Sequence, residues 1–566
     1  MDLLNCCFKA DTVEDPGPPT IDKDAEGKLS HVGKAAYDTL RKQHPAHHHT
    51  CWNVTSGEIV GHVCQTPLHG WSREEEYPPE GHDDWFPERM AEVMSRTQVW
   101  CDVSSLGAPT GLFLTHMQKA IKKIAENAEG KEQPIYVRIM FGNIIGMPVN
   151  CTKVIAALTE QVPKNANIRL WVGAWRKGVS WNHSKIIAVD GKYLFTGGHN
   201  LWDNHYLKTC PVHDLSFELR GPVAHDGHRF LNEQWSFIQH KQSTFLGELT
   251  DKLPDDMILI AETRVTISEF PTGIASEFAP KYETGMVSHY ERFPAQVPLI
   301  SMGRYGTLLR HARPSDDAFV AMFDSAEKII RMALQDLGPV CIPGTKTPLP
   351  GCVWPKNYLS AFGRAMWLRE VDIEIALSNP NSVPGGIPPK EGVYGNGWSC
   401  ADVAAEVIKT IREQFPDAQD DQLRKKVMEN LRVCYIREKR GNKYDDGMTM
   451  GMHAKHVIVD DVCAFIGSQN LYVCDLAEWG VVVDDKAATE KMMKEYWEPM
   501  WKSSFTGEDC NVDEVIDGLD KNRDGEPLAP VGSAKNRSQV AEAQRLQVHA
   551  NRGMDFYDSS DDEGHQ

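Results

Sequence analysis

Trp181–Asn200 reads WNHSKIIAVDGKYLFTGGHN, and near the other end of the chain Met452–Asn470 reads MHAKHVIVDDVCAFIGSQN. Both stretches run His-x-Lys, four residues, Asp, six residues, Gly followed by Gly or Ser, one residue, Asn. Each has the pattern of strand, turn, strand. Positions i and i+2 of a strand share a face, so His183 and Lys185 point one way, as do His453 and Lys455. Asp190-Gly191 reads as a two-residue hairpin loop. Counting outward from it sets Gly198 opposite His183 and aligns Asn200 with Trp181, and the same count from Asp460-Asp461 sets Ser468 opposite His453. Small residues across from each imidazole leave room for a substrate group, with Asn200 and Asn470 just beyond as amide donors.

Each copy therefore offers His, Lys and Asn to an anion. A lone His-x-Lys on a strand is an exposed edge pair, but two copies with the same spacing through Asn read as two halves of one site. Packed about a pseudo-two-fold axis, two Lys and two Asn surround a tetrahedral phosphoryl group and two His approach it from opposite sides. That arrangement suits in-line displacement at phosphorus: one neutral His attacks, and the other, protonated, gives its proton to the leaving alcohol and then activates water or an acceptor alcohol. The Lys pair supplies the charge stabilisation, so neither a metal nor another cofactor is expected. Asp190 and Asp460 sit in the turns with parity opposite to the His, and their expected task is supporting: fixing the hairpin by hydrogen bonds.

Working outward, an α/β alternation precedes each motif. In the first half a helix at 87–96 leads to β-rich residues 97–106, a helix at 111–128, a strand at 135–141, a helix at 151–162 and a strand at 168–175. In the second, a helix at 318–330 leads to a strand at 331–337, a helix at 358–370, a strand at 371–377, a helix at 400–415 and a strand at 431–436. The halves read as a tandem duplication of two α/β/α lobes sharing a site at their interface. The loops Gly142–Pro148 and Asn379–Trp398 follow central strands, at the edge where open α/β sheets place ligands, and the second is long enough for a lid. The expected division is an irregular N-terminal extension (1–79), a first lobe (80–245), a connector (246–298) with one strand at 257–267, a second lobe (299–505) and an acidic, disordered tail (506–566).

Composition excludes some classes. A hydrophobic share of 41% with 25% charged residues is that of a globular protein, and no apolar run approaches the ~20 residues that span a bilayer. A net charge of -19 opposes broad capture of nucleic acid. The 14 cysteines are scattered, which reads as free thiols, and the start MDLLNCCFKA lacks the cationic-then-apolar pattern of a secretion signal. Sequons occur at Asn53, Asn150 and Asn536, and one at Asn182 falls inside the motif. Cys6 and Cys7 lack the glycine that pairs acylation with myristoylation, since Asp2 stands there. His44, His47, His48, His49, His62 and His69 show no recognisable metal-ligand spacing, and Val531 stands where a calcium loop starting at Asp520 would need Glu.

The stretches CDVSSLGAPTG, VSWNHSKIIAVDGK, TGGHNLW, VHDLSFELRGPVA, QDLGPVC, MHAKHVIVDD, FIGSQNLY and AEWGVVVDD, from about residue 85 to 505, resemble the phospholipase D superfamily, in particular its secreted actinobacterial type. The resemblance implies a bilobed α/β sandwich hydrolysing the distal phosphodiester of phospholipids, with phosphatidyl transfer to alcohols. It implies His183 as nucleophile, His453 as general acid/base, and Lys185, Lys455, Asn200 and Asn470 as phosphate holders. The carboxylate that the family places behind each His falls here at Asp214 and Glu478, where it would fix the tautomer and raise imidazole basicity. The extension, the connector and the tail have no counterpart in the family pattern.

The expected partner is phospholipid at a membrane surface, met peripherally by a monomer, with no nucleic acid. Trp175, Trp181, Trp202, Tyr206, Trp398, Tyr472 and Trp479 lie near the motifs and are candidates for an acyl-chain or headgroup surface, with core packing the favoured reading for most of them individually. The competing functions are a phospholipid synthase with a lipid or serine acceptor, a nuclease, and a catalytically silent scaffold. Compartment, cytoplasmic or membrane-peripheral, is left open by the sequence.

Overall fold

The computed structural model describes residues 21–68, 71, 85–144, 148–178, 180–207, 210–242, 268–270, 278–286, 296–306, 313–342, 345–349, 352–380, 382, 396–444, 447–472 and 476–519. The first half contributes strands β1 (Trp52–Thr66), β2 (Trp100–Ser105), β3 (Ile135–Gly142), β4 (Ile168–Lys177), β5 (Ser180–Trp181), β6 (Ile186–Val189), β7 (Tyr193–Gly197) and β8 (Asp214–Arg220). After β9 (Ser268–Phe270) the second half contributes β10 (Val297–Arg304), β11 (Ile329–Leu334), β12 (Asp372–Leu377), β13 (Leu431–Tyr435), β14 (Lys455–Val459), β15 (Cys463–Gly467) and β16 (Glu478–Val483). They form one sheet in the order β13-β12-β11-β14-β15-β16-β10-β1-β8-β7-β6-β2-β3-β4-β5, with β9 on β4. Read from its middle, the order is the same in both directions: the β1–β10 pair lies on a pseudo-two-fold axis, and β8, β7, β6, β2, β3, β4 answer to β16, β15, β14, β11, β12, β13. The chain is a mixed α/β fold of two tandem lobes.

The parallel strands β2-β3-β4 and β11-β12-β13 are joined through helices, as parallel pairing requires. The helices form for ordinary reasons. Gly111–Asn127 repeats Phe113, Met117, Ile121 and Ile124 on one buried face, and Cys400–Gln414 starts with a reciprocal Ser399/Asp402 cap. Side-chain alternation sorts the strands onto two faces. Ile187 and Val189 join a core confined to the first lobe, Val457 and Val459 one in the second, while Ile186, Ala188, Ile458, Trp479 and Val481 share a third that runs through both. Burying roughly 1.5–3 kcal/mol per large apolar side chain, this shared core ties the lobes together.

Within the extension expected to be irregular, the described residues 22–68 are instead structured. Ser30 caps the helix His31–Gln43, and β1 is the central strand of the sheet, its first half pairing β10 and its second half pairing β8. The alternation in WNVTSGEIVGHVCQT is broken by a register shift between Val60 and Cys64, near Gly61 at φ 72°, and that hides the strand from a period-two reading. The acidic tail also begins as structure: Val512–Leu519 is a helix whose Ile516 enters the second-lobe core while Asp513 and Asp517 pair with Arg424. The tail beyond 519, the connector strand at 257–267, Cys6, Cys7 and His69 lie outside the described residues, as does most of the Asn379–Trp398 loop. The helix at 420–430 was not expected. The histidines of the N-terminal run have other partners, His44 with Asp317, His48 with Asn53 and His62 with Glu495, and no metal-holding group occurs among the described residues. Among these residues, too, no helix is long and apolar enough to cross a membrane.

Asp484 holds the N-terminal helix to the second lobe by accepting from the Ser30 backbone N–H at 2.7 Å and from its hydroxyl at 2.5 Å. Gly33 makes room for that carboxylate, since a Cβ there would run into it. Gly→Ala inside a helix ordinarily stabilises by up to about 1 kcal/mol. Gly33→Ala will do the reverse, lowering the denaturation midpoint in a urea titration.

Candidate active site

His183 and His453 sit just ahead of β6 and β14, where the two lobes are bridged. The bridging is made by backbone. The His183 N–H donates to the Ala477 carbonyl at 2.8 Å and the Ala477 N–H to the Trp181 carbonyl at 3.1 Å; symmetrically, the His453 N–H donates to the His213 carbonyl at 2.7 Å and the His213 N–H to the Gly451 carbonyl at 2.8 Å. Ala477 precedes Glu478 and His213 precedes Asp214. Each bridge therefore delivers a carboxylate to the other lobe's imidazole: His183 Nδ1 lies 3.0 Å from Glu478 Oε1, and His453 Nδ1 2.8 Å from Asp214 Oδ2. A carboxylate accepts, so Nδ1 of each ring carries the proton and Nε2 is left for chemistry. The ring centroids are 6.2 Å apart with planes at 73°, room for a phosphoryl group between them.

Both lysines are buried. Lys185 Nζ donates to the His183 carbonyl at 2.7 Å, and Lys455 Nζ to that of His453. Burial and the neighbouring Lys455 pull the Lys185 ammonium well below its usual range; burial takes Lys455 down to about 7, against the opposing pull of Asp214 and Glu478. Burial, then Lys185 and Lys455, likewise hold the His183 imidazole well below its ordinary range, so it is neutral at pH 7.

Asn200 and Asn470 border the pair without being equivalent. The Asn200 N–H donates to the Tyr206 hydroxyl at 3.0 Å, and that hydroxyl donates to Asp214 Oδ2 at 2.9 Å. Asn470 donates to Glu478 Oε1 from its backbone at 3.2 Å and from its amide at 3.4 Å. Tyr206, one of the aromatics weighed between a lipid-facing surface and the core, is thus a buried partner of a carboxylate. Trp175, Tyr472 and Trp479 are also buried, leaving Trp181, Trp202 and Trp398 partly exposed.

The hairpin register differs from the two-residue reading. Asp190 (φ 52°) and Gly191 (φ 62°) do form a tight turn closed by Lys192 N–H to the Val189 carbonyl, but the ladder starts with Val189 opposite Tyr193. Lys192 is an extra residue, and Val462 its counterpart where Val459 pairs Cys463. The small residues then serve another purpose. A Cβ at Gly198 would run into the Asp214 carboxylate, and the Ser468 hydroxyl accepts from the Trp479 N–H at 3.0 Å. Asp190 and Asp460 brace neighbouring strands rather than their own hairpins: Asp190 accepts from the N–H groups of Gln98, Val99 and Trp100, Asp460 from those of Glu327, Lys328 and Ile329. Asn182 is fully buried and donates to the Ser105 carbonyl, which removes it as a glycosylation site.

Residues absent from the sequence reading complete the site. Arg304 Nη2 donates to Glu478 Oε2 at 2.5 Å and its Nη1 to Asp316 Oδ1 at 2.5 Å, and the Tyr358 hydroxyl reaches the same Asp316 oxygen at 2.6 Å. Only the strand pairing that sets Arg304 opposite Glu478 could have revealed the contact. The depressed lysines have a measurable consequence. A bound oxyanion favours the charged ammonium, so binding of tungstate, studied calorimetrically in buffers of different ionisation enthalpy, will take up protons above pH 7 and weaken as pH rises through about 7.

No family model matches the chain. It is 24% identical over 367 residues to the phospholipase D of Streptomyces antibioticus, an alignment covering 58% of this chain and 60% of that relative's length. It is 33% identical over 81 residues to cardiolipin synthase A of Pseudomonas fluorescens, 14% of this chain and 16% of that one. Among solved structures, the phosphatidylserine synthase of Haemophilus influenzae superposes with a TM-score of 0.44 and 12% identity, covering 91% of this chain and 98% of that one. In its doubled motif and in an alignment spanning 60% of the Streptomyces phospholipase's length, the chain is similar to the phospholipase D superfamily.

Proposed function

We propose that the protein is a phospholipase D, hydrolysing the distal phosphodiester of glycerophospholipids to phosphatidic acid and a headgroup alcohol, and transferring the phosphatidyl group to alcohols. The observation that carries this reading is the pair of imidazoles 6.2 Å apart, each bonded through Nδ1 to a carboxylate and flanked by a buried lysine.

His183 Nε2, neutral at pH 7, attacks phosphorus, and the bond to the headgroup oxygen breaks. The leaving oxygen takes the proton from His453 Nε2, and the phosphatidyl group rests on His183. Neutral His453 then accepts a proton from water or an alcohol as its oxygen attacks phosphorus and the P–N bond breaks, restoring both histidines. Lys185 and Lys455 hold the non-bridging oxygens, recovering their full charge as negative charge collects between them. Asn200 and Asn470 add amide donors. Asp214 and Glu478 fix the imidazole tautomers and stabilise the positive charge that each ring carries in turn. Both half-sites reside in one chain, which suits a monomer working at the surface of a lipid aggregate. A net charge of -19 argues against nucleic acid as substrate.

A phosphatidyl-transferring synthase would use the same intermediate, and the match to cardiolipin synthase A keeps it as the competing reading. Headgroup release from mixed micelles, with ethanol as added acceptor, tests the proposal. Choline or ethanolamine release together with phosphatidylethanol supports it; product formed only with a dilute lipid or serine acceptor favours the synthase. Cleavage of single-stranded DNA without lipid turnover would overturn both. His183→Ala and His453→Ala will each lower turnover by about a thousandfold or more while leaving the melting transition in place.

A further inference from the structure

The two histidine–carboxylate pairs are built alike but backed differently. In the sheet, Arg304 of β10 lies directly opposite Glu478 of β16; at the pseudo-symmetric place, Thr66 of β1 lies opposite Asp214 of β8. Glu478 thus receives a guanidinium that is only 3% exposed, itself shared with Asp316. Asp214 receives the neutral Tyr206 hydroxyl and the Leu215 N–H, and Thr66 turns its hydroxyl to His199 and the Val212 carbonyl. Among the described residues no arginine bonds to Asp214. Lys185 and Lys455 act on both carboxylates and so do not distinguish them.

We propose that Arg304 is a positioning residue that assigns the two chemical roles, by offsetting the charge of Glu478 and so keeping His183 the unprotonated, attacking imidazole while His453, backed by an unoffset Asp214, serves as the proton carrier. The proposal rests on the reading that a histidine attacks phosphorus, and adds what breaks the symmetry between the two candidates. The groups facing His183 are Glu478 from β16, Lys185 from its own strand, Lys455 and His453 from the second motif, and Arg304 beyond Glu478. After burial and the two lysines, Arg304 is a further cause of the depressed His183. The sign follows. Without the guanidinium, Glu478 confronts His183 with its full charge, the pair takes up its proton at higher pH, and attack is lost sooner as pH falls.

The test compares Arg304→Met, Arg304→Lys and Asp316→Asn with the wild-type protein by two readouts: the acid limb of kcat/KM, and the NMR titration of the His183 imidazole in protein labelled at histidine carbon. Arg304→Met will move both upward by about one pH unit, a tenfold loss of activity on the acid limb. Arg304→Lys, which keeps the charge, will move them by less. Asp316→Asn frees the guanidinium to act wholly on Glu478 and will move them downward. Should Arg304→Met fail to fold, the other two variants still carry the test, because a merely structural role moves neither readout in opposite directions. Unchanged titrations in the folded variants, or shifts of one sign in all, overturn the proposal. The NMR titration needs no turnover, so absence of lipid cleavage would count against the phospholipase reading while leaving the role of Arg304 decided.

Discussion

The site depends on four short hydrogen bonds between backbones of different lobes, those joining His183 to Ala477, Ala477 to Trp181, His453 to His213 and His213 to Gly451. They are bonds between peptide groups and so carry no chemistry of their own. Each nevertheless fixes, within two residues, both an imidazole and the carboxylate that bonds to it from the opposite lobe. Neither lobe holds a finished half-site: His183 without the second lobe has no Glu478, and His453 without the first has no Asp214. The long strand β1, paired to β8 by one half and β10 by the other, keeps the lobes in the register that these bonds require.

The cost of the arrangement is electrostatic. Two ammoniums, two carboxylates and a guanidinium are taken out of water within a few side chains of one another, and the desolvation of buried charges can exceed what their pairing returns. The depressed Lys455 and Lys185 show the imbalance in the free protein. An oxyanion held between the histidines would complete the set of charges and favour the protonated lysines. The apolar core shared by both lobes, with Trp479 and Ile458 beneath the motifs, supplies the stability that tolerates this.

How much of this was legible in the sequence depended on whether the signal was local. The motif, its duplication and the α/β alternation are local: Ile135–Gly142 and Asp372–Leu377 announce buried parallel strands by composition alone. β1 does not, because its bulge breaks the alternation and its two halves serve different neighbours. The insertion of Lys192 and Val462 moves the hairpin register by one residue, and with it the task of Gly198, from making room for substrate to making room for Asp214. The partners of Asp190 and Asp460 lie at the entrances to strands about 90 and 130 residues away. The exchange of carboxylates between lobes and the presence of Arg304 behind one of them are properties of sheet register, which no stretch of chain contains by itself. The helix at 512–519 was obscured by the acidic residues that pair it with Arg424.

Each histidine is served by the carboxylate of the opposite lobe. This exchange is tested most directly by substituting Glu478→Gln and Asp214→Asn separately and following the imidazole NMR resonances of both histidines at a fixed pH. Glu478→Gln will displace the resonances of His183 and leave those of His453 nearly in place, and Asp214→Asn will do the opposite. If each substitution instead displaced the histidine of its own lobe, the exchanged site described above would be contradicted.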